Sequence, residues 1–316
     1  MTQAPILTVT LNPALDLATE AEAVLPGAKL RCTAPQADPG GGGINVSRVI
    51  RRLGGDSLAV VGLGGSTGAR LSGLVAREGL RLHRIDAPGE TRQSLAVTER
   101  ASGAQFRFVM PGPAWSRRRE RVALREIVEA APPDAFIVLS GSQPPGVSDD
   151  LPATLARRLA RRGGRVVLDT SGPALARAAE GGSGIHVLRM DGGEAETISG
   201  LPLARRQDSA DFAAGLVARE AAAIVVIARG AEGSVMATRE GRWFAAAADV
   251  PVRSKIGAGD SFVGAFTLAM ARGRPLPRAL QEGMAAASAT VMSAGTALCR
   301  AADVRRLVAA CPVTPL

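Results

Sequence analysis

Tyrosine is absent from this chain, aromatic residues make up only 3% of it, and lysine occurs twice, as Lys29 and Lys255. The formal net charge is +9, carried almost entirely by arginine. Few aromatic side chains means few platforms on which bases could stack. The arginines are spread along helical patterns such as "ARRLARR" (156–162) and "SRRRERVALREIVEA" (116–130), where Glu is interleaved and Ser116 is a candidate N-cap. Such stretches read as solvated helix faces, so no nucleic-acid partner is expected. Cysteine is also scarce. Cys32, Cys299 and Cys311 are odd in number and scattered, which is no disulfide framework and points to a reducing cytoplasm. The two histidines, His83 and His186, lie far apart, so a structural zinc site is not expected. No apolar run approaches the ~18 residues of a membrane span. "AAAIVVIA" (221–228) has the length of a buried strand, and "ILTVTL" (6–11) follows the start without a signal-peptide pattern. No G-x-x-x-x-G-K-[ST] loop occurs, which removes Walker-type ATPases, and the G-x-S-x-G spacing at 64–68 is by itself too weak to indicate an α/β-hydrolase.

What is present is a 316-residue chain with 46% hydrophobic residues, enough for one large α/β domain with a minor appendage. Continuous apolar runs at 6–11, 57–63, 135–141, 165–171, 185–191 and 223–229 alternate with helical patterns. Unbroken β-branched runs suit strands covered on both faces, hence a mostly parallel central sheet between helical layers. Two regions break the rhythm. Residues 28–37 and 92–110 have strand character without intervening helices, and 99–103 supplies a hairpin turn in the second. They are expected to form a small β-sheet lid over one edge. The segment from Gly257 to about Ala310 reads as helical.

Three glycine-rich stretches stand out. "GLGGSTG" (62–68) follows a strand, and both a tight strand–helix turn and a ligand loop fit it. "PGGGGINVSRVIRRLGG" (39–55) places four glycines before an amphipathic helix, at a cost in backbone entropy that makes sense if something approaches the backbone closely. Asn45 there could cap the helix or bind a ligand hydroxyl. "IGAGDSFVGAF" (256–266) places a Gly-Ala-Gly turn at a helix start. Bare N–H groups at the positive end of a helix dipole bind anions. Asp260 beside them could cap the helix or take a proton from an attacking hydroxyl.

Taken together, "LNPALD", "AKLRCTAP", "GGGGINVSR", "TRQS", "FRFVMPG", "SGSQPPGV" and "GAGDSFVGA" occur in the order found in the ribokinase-like PfkB carbohydrate kinases, which the chain resembles over essentially its whole length. "KLRCTAP" and "FRFVMPG" resemble the 6-phosphofructokinase branch in particular. Gly42 stands where the 1-phosphofructokinase and tagatose-6-phosphate kinase branches typically carry Lys, although "LNPALD" is common in those branches. The resemblance implies a three-layer α/β/α ribokinase-like fold, a single kinase domain over 1–316, and transfer of phosphate from ATP to fructose 6-phosphate with Mg²⁺ and, optionally, a monovalent cation. It implies that Asp260 is the base and that Gly257, Ala258 and Gly259 form the anion hole. Asp16, Gly41, Gly42 and Asn45 would hold sugar hydroxyls, Arg92 and Arg107 the substrate phosphate, and Ser142 would border the substrate. Lys29, also on the substrate side, and Arg31 lie in the lid, through which a homodimer is expected.

On the nucleotide side the chain departs from the family pattern. Where K-P-N-x-x-E is usual, it reads Arg189-Met190-Asp191-Gly192-Gly193-Glu194. Glu194 keeps the expected role of meeting magnesium through water, while Asp191 replaces the Asn that faces the phosphates. Arg229 precedes the Gly230–Gly233 turn without the usual hydroxyl residue before it, and Lys255 stands where Thr is common. Arg189, Asp191, Gly230, Gly233, Lys255 and Ser288 are assigned to the nucleotide side. One account of these departures is compensation, in which Lys255, Arg189 or Arg229 offsets the charge of Asp191. The other is a weakened kinase, down to a protein that binds sugar phosphate without efficient catalysis.

Overall fold

The six apolar runs all become strands, each within two residues of the expected bounds. The computed structural model describes residues 3–316, and the elements below are those of the described residues. The first half contains β1 (Ile6–Thr10), β2 (Ala14–Ala21), β3 (Gln36–Gly40), α1 (Gly42–Arg52), β4 (Leu58–Leu63), α2 (Gly65–Arg77), β5 (Arg81–Asp86), β6 (Arg92–Glu99), β7 (Gln105–Val109), α3 (Arg117–Ala130), β8 (Phe136–Ser140) and α4 (Leu151–Ala160). The second half contains β9 (Arg165–Asp169), α5 (Pro173–Ala179), β10 (Val187–Asp191), α6 (Gly192–Ser199), α7 (Arg206–Ala218), β11 (Ile224–Ala228), β12 (Gly233–Ala237), β13 (Arg242–Ala246), α8 (Ala258–Ala271), α9 (Leu276–Val291), α10 (Ala301–Leu307) and β14 (Val313–Pro315).

The large sheet runs β14-β13-β12-β11-β10-β9-β8-β1-β4-β5. It is parallel from β5 to β11 and antiparallel at the β12–β14 edge. Alternate residues of one strand serve two cores. Leu7 and Val9 pack with α3, α4, α5 and α7, whereas Ile6 packs with α1, α8 and α9. That is the three-layer arrangement expected of strands covered on both faces. Helix α8 is the extreme case: every residue from Ser261 to Ala271 is buried. This explains an apolar composition that shows little amphipathic contrast.

The strand order fixes where a ligand can sit. From β1 the chain goes out to β4 and β5, then returns to the other flank of β1 with β8 and β9. The order therefore reverses between β1 and β8, and the crevice beyond the carboxyl ends of such strands is where open α/β sheets bind ligands. The segments after Thr10 and Ser140 leave from that crevice.

A second sheet, β3-β2-β6-β7, lies apart from the first. The hairpin read at 92–110 is present as β6 and β7. The segment read as strand-like at 28–37 is not. It runs irregularly to Pro35, touching β2 where Cys32 bridges Ala21 and where the Thr33 N–H donates to the Glu20 carbonyl, and ladder pairing begins at Gln36. Pro35 has no N–H to give a ladder. The strand that pairs with both β3 and β6 is β2, directly after the first motif. The lid strand β7 and its flank leave Phe106, Phe108, Val109 and Met110 at least a third exposed.

Candidate active site

The glycine run is explained by what it touches. Gly41, at φ +129°, adopts a backbone closed to other residues, and a Cβ there would also sit 2.6 Å from Thr10 Cγ2. A Cβ on Gly42 would meet Ser140 Oγ at 2.2 Å and the backbone of Gly141 at 2.8 Å. The start of α1 is thus pressed onto the ends of β1 and β8, inside the switch-point crevice. Its cap comes from outside: the Ile44 N–H donates to Thr10 Oγ1 at 3.1 Å. Asn45 is therefore released from capping. Its Nδ2 donates to Asp260 Oδ2 at 2.9 Å, across 215 residues.

Asp260 does not cap α8 either. Gly257, in the left-handed region at φ +75°, is the cap residue and brings no side-chain hydrogen bond, so the first N–H groups of α8 have no capping side chain. The Asp260 carboxyl is pushed up to about 7. Burial is the main cause and the Asp169 carboxylate adds to it. The Asn45 hydrogen bond and the Arg189 guanidinium pull the other way, while Asp16 raises it further. A carboxylate that titrates near neutrality beside the uncapped N–H groups of a helix start is equipped to accept a proton from a hydroxyl.

Asp169 was not picked out from the sequence, and it joins three strands. Its carboxylate accepts from Ser140 Oγ at 3.0 Å and from a guanidinium nitrogen of Arg189 at 3.0 Å. The same guanidinium lies 3.2 Å from where a Cβ on Gly259 would be, directly against the anion turn. Asp169 ends a parallel strand one removed from the switch point, which is the signal that could have found it.

The lid closes a cavity of about 630 Å³ lined by Asp16, Asp38, Arg48, Ser94, Arg107 and Thr296, among others. Burial pushes the Asp16 carboxyl up, opposed chiefly by the Arg92 guanidinium, then by a Ser94 hydrogen bond and by Arg107. Arg92 is fixed by donating from Nε to the Asn12 carbonyl at 3.2 Å, and Asn12 Nδ2 in turn donates to Ser142 Oγ at 3.1 Å. Arg48, on the cavity wall, bonds to Asn45, so cavity and Asp260 are two hydrogen bonds apart. Lys29 is exposed in the irregular lid segment and is not on this lining.

Residues 9–303 match the model of the pfkB family carbohydrate kinases. The chain belongs to that family. It is 38% identical over 301 residues to the ATP-dependent 6-phosphofructokinase isozyme 2 of Mycobacterium tuberculosis, covering 95% of this chain and 88% of that one. It is 38% identical over 304 residues to the enzyme of the same name from Escherichia coli, covering 96% and 98%. The 1-phosphofructokinase of Bacillus subtilis matches at 28% over 288 residues, covering 91% and 93%. Phosphofructokinase-2 from Escherichia coli, solved in complex with potassium, superposes with a TM-score of 0.91 at 37% identity over 97% of this chain and 98% of that one. The same protein solved with fructose-6-phosphate gives 0.89 at the same identity and coverage.

In this carbohydrate kinase the departures on the nucleotide side have local explanations. Asp191 and Glu194 form a capping box at the start of α6: Asp191 Oδ1 accepts from the Glu194 N–H at 2.9 Å, and Glu194 Oε2 accepts from the Asp191 N–H at 2.8 Å. Arg229 is a staple. It donates to the carbonyls of Leu203, Ala204 and Arg205, to Ser209 Oγ and to Glu232. Arg189 is tied to Asp169. Of the three cations considered for offsetting Asp191, only Lys255 is exposed and without an ion pair among the described residues. Gly230 and Gly233 bracket a short 3₁₀ turn at 230–232. Ser288 faces inward: its Oγ accepts from the Ala248 N–H at 3.2 Å and it is 4% exposed, so its hydroxyl supports packing instead of reaching a nucleotide. The "GLGGSTG" turn is already filled, because Glu90 accepts from the Ser66 and Thr67 N–H groups at 3.0 Å each. Those bonds hold its carboxyl below the ordinary range, and a second anion would meet a charge of its own sign.

No helix among the described residues is long and apolar enough to cross a membrane.

Proposed function

We propose that this kinase transfers the γ-phosphoryl group of ATP to fructose 6-phosphate, giving fructose 1,6-bisphosphate and ADP. The observation that carries the proposal is the Asp260 carboxyl, poised at about 7 and held by Asn45 beside the uncapped start of α8. The 1-hydroxyl oxygen forms the new bond to the γ-phosphorus as the bond from that phosphorus to the bridging oxygen breaks, and the hydroxyl proton passes to Asp260. Backbone N–H groups of Gly257, Ala258 and Gly259 offer fixed dipoles to the charge on the transferred group. Asp16, Gly41, Gly42 and Asn45 position the sugar. Arg92 and Arg107 hold its phosphate with guanidinium forks, with Ser142 alongside and Lys29 brought in by the lid.

Arg189, Asp191, Gly230, Gly233 and Lys255 face the nucleotide in this assignment. No group of three or more His, Cys, Asp or Glu able to hold a metal occurs among the described residues. That suits magnesium, which prefers substrate phosphates, waters and one or two carboxylates to an all-protein cage. Glu194, half-buried with its carboxyl raised chiefly by burial, is the residue that would meet the ion through water. When bound, magnesium neutralises phosphate charge. We also assign a monovalent cation, supported by the potassium complex of the Escherichia coli neighbour. A single kinase domain, a homodimer joined through the exposed apolar residues of the lid, and a cytoplasmic setting in keeping with three free cysteines complete the proposal.

Fructose 6-phosphate is preferred over fructose 1-phosphate on the gap between 38% identity to the 6-phosphofructokinases and 28%, 31% and 32% to the 1-phosphofructokinases, and over tagatose 6-phosphate on Gly42, which stands where that branch typically carries Lys. A coupled assay of the purified protein across the three sugar phosphates, with ATP and GTP, tests it. The highest kcat/KM is expected for fructose 6-phosphate with ATP. A higher value for another sugar overturns the substrate, and sugar-phosphate binding without turnover overturns the kinase reading in favour of a binding protein.

A further inference from the structure

Arg48 belongs to none of the roles assigned above, yet it is among the least exposed charged side chains of the molecule, at 6%. It sits one turn after Asn45 on α1, so the two side chains lie on one face of the helix. One guanidinium nitrogen donates to Asn45 Oδ1 at 3.2 Å and the other to Glu78 Oε1 at 2.7 Å, at the end of α2. A chain of contacts therefore runs Glu78, Arg48, Asn45, Asp260.

We propose that Arg48 is a positioning residue for the catalytic base, fixing which end of the Asn45 amide meets Asp260. The proposal rests on the reading of Asp260 as base. An amide has an accepting end and a donating end, and turning it by half a revolution exchanges them. A guanidinium has donors only and never loses its charge, whereas an ionised carboxylate only accepts. With Arg48 on one side and Asp260 on the other, the amide has one favourable orientation: oxygen to Arg48, nitrogen to Asp260. Turned over, it would set its NH₂ against the guanidinium and its oxygen against the carboxylate.

The consequence appears when Asp260 takes up a proton. A protonated carboxyl could donate to an amide oxygen, and a free Asn45 would turn to receive it, stabilising the spent base. Held by Arg48, the amide keeps presenting N–H, which favours the ionised form. The Nε of Arg48 has no partner among the described residues. A buried donor left unpaired lowers stability, so the side chain is poorly accounted for by stability alone.

The charged groups facing Asp260 from the surrounding elements are Asp169 on β9, Arg189 on β10 and Asp16 on β2, with Asn45 on α1. Among them the Asn45 hydrogen bond lowers the Asp260 pKa, so freeing the amide removes that pull.

The test is the pH profile of kcat/KM for fructose 6-phosphate in Arg48→Met and Glu78→Gln, with circular dichroism to establish folding. Arg48→Met should move the acid limb up by about one pH unit, leave the high-pH plateau within a few-fold of wild type and leave the sugar KM nearly unchanged. Glu78→Gln keeps the Arg48 charge and loosens its anchor. Through-space electrostatics alone would move the limb down, because a negative charge has been removed, whereas a loosened amide moves it up. An upward shift in Glu78→Gln supports the proposal, also in the event that Arg48→Met does not fold. No shift, or a downward one, overturns it, as does a raised sugar KM with an unmoved limb in Arg48→Met, which would make Arg48 a substrate contact. Failure of the underlying reading looks different: Asp260→Asn would then keep wild-type turnover and the same acid limb.

Discussion

Replacing Asp260 by Asn separates catalysis from stability, because the two should move in opposite directions. The amide keeps the size of the carboxyl and its oxygen can still accept from Asn45 Nδ2, so the packing at the start of α8 persists. The base is lost. Turnover should fall by ~10²–10⁴-fold, the usual contribution of general acid–base catalysis. With Asp260 as the proposed base, the ionised form is the active one. With a pKa of about 7, kcat/KM should rise with pH through 7 and level above it.

Stability runs the other way. The folded-state pKa lies above the ordinary carboxyl value, so the native state holds this proton more tightly than the unfolded chain does. The contribution is fully present below the unfolded pKa and is lost as pH rises through about 7. At pH 8 the wild type carries an ionised carboxylate buried against Asp169 and Asp16, and Asn relieves it. A rise from 3.8 to about 7 corresponds to an upper figure on the order of 4 kcal/mol, reduced to the extent that the residue, intermediate in surface exposure although its carboxyl is enclosed, is screened by solvent. Thermal unfolding of the ligand-free protein at pH 5 and pH 8 reads this directly. Asp260→Asn should unfold several degrees above wild type at pH 8, with a smaller difference at pH 5. Normal turnover in the variant would refute the base, and a Tm difference that does not widen with pH would refute the electrostatic account of its pKa.

Gly42→Ala should abolish activity and lower stability by about 1–3 kcal/mol, since its Cβ would meet the Gly141 backbone at 2.8 Å as well as Ser140; calorimetry and the coupled assay check it. Arg92→Ala should raise the sugar-phosphate KM by roughly 10–100-fold, the loss of a charge-assisted contact of about 1.5–3 kcal/mol, with little change in the ATP KM. Equal losses for both substrates would place Arg92 elsewhere. Lys255→Thr should raise the ATP KM while Asp191 remains, and adding Asp191→Asn should recover much of that loss. A coupling on the order of 0.5–3 kcal/mol in this double-mutant cycle supports compensation, and additivity refutes it.

Much of the central sheet could be read in advance because burial on both faces writes itself locally, as unbroken runs such as "IVVI" in β11. The glycine runs were legible for a similar reason: glycine in series is costly unless the backbone is crowded, and Gly42 is crowded by Ser140. The antiparallel edge was not foreseen: β12 and β13 are as long as β11 but lack its β-branched run, and β14 has three residues, so its pairing comes from a neighbour (Phe244 with Thr314) and not from pattern. Asp169 was missed on the same ground. An Asp at the end of a strand is unremarkable until β8 and β10 bring Ser140 and Arg189 to it.

Asp191 and Arg229 teach a different lesson. Both were singled out as departures on a binding surface, and both turn out to be engaged by their own backbone surroundings. For Asp191 the clue was local, a D-x-x-E spacing that permits reciprocal capping, and it lay in the quoted residues. For Arg229 it was not, because the carbonyls it holds are 24–26 residues earlier in the chain. A capped Asp191 still carries its charge, and its second oxygen is not needed by the cap. Capping therefore explains how Asp is accommodated without removing its repulsion of a phosphate. Arg189 feels the Asp191 charge while paired with Asp169, and Arg229 is held by the loop, which leaves Lys255 and a cation that arrives with the nucleotide as the further sources of offset. The two sources differ in what they demand: Lys255 would act in any buffer, whereas an incoming cation would make the cost of Asp191 depend on its concentration. If Lys255 is the source, the benefit of Asp191→Asn in the Lys255→Thr background should persist at saturating magnesium; if the cation is the source, it should fade there.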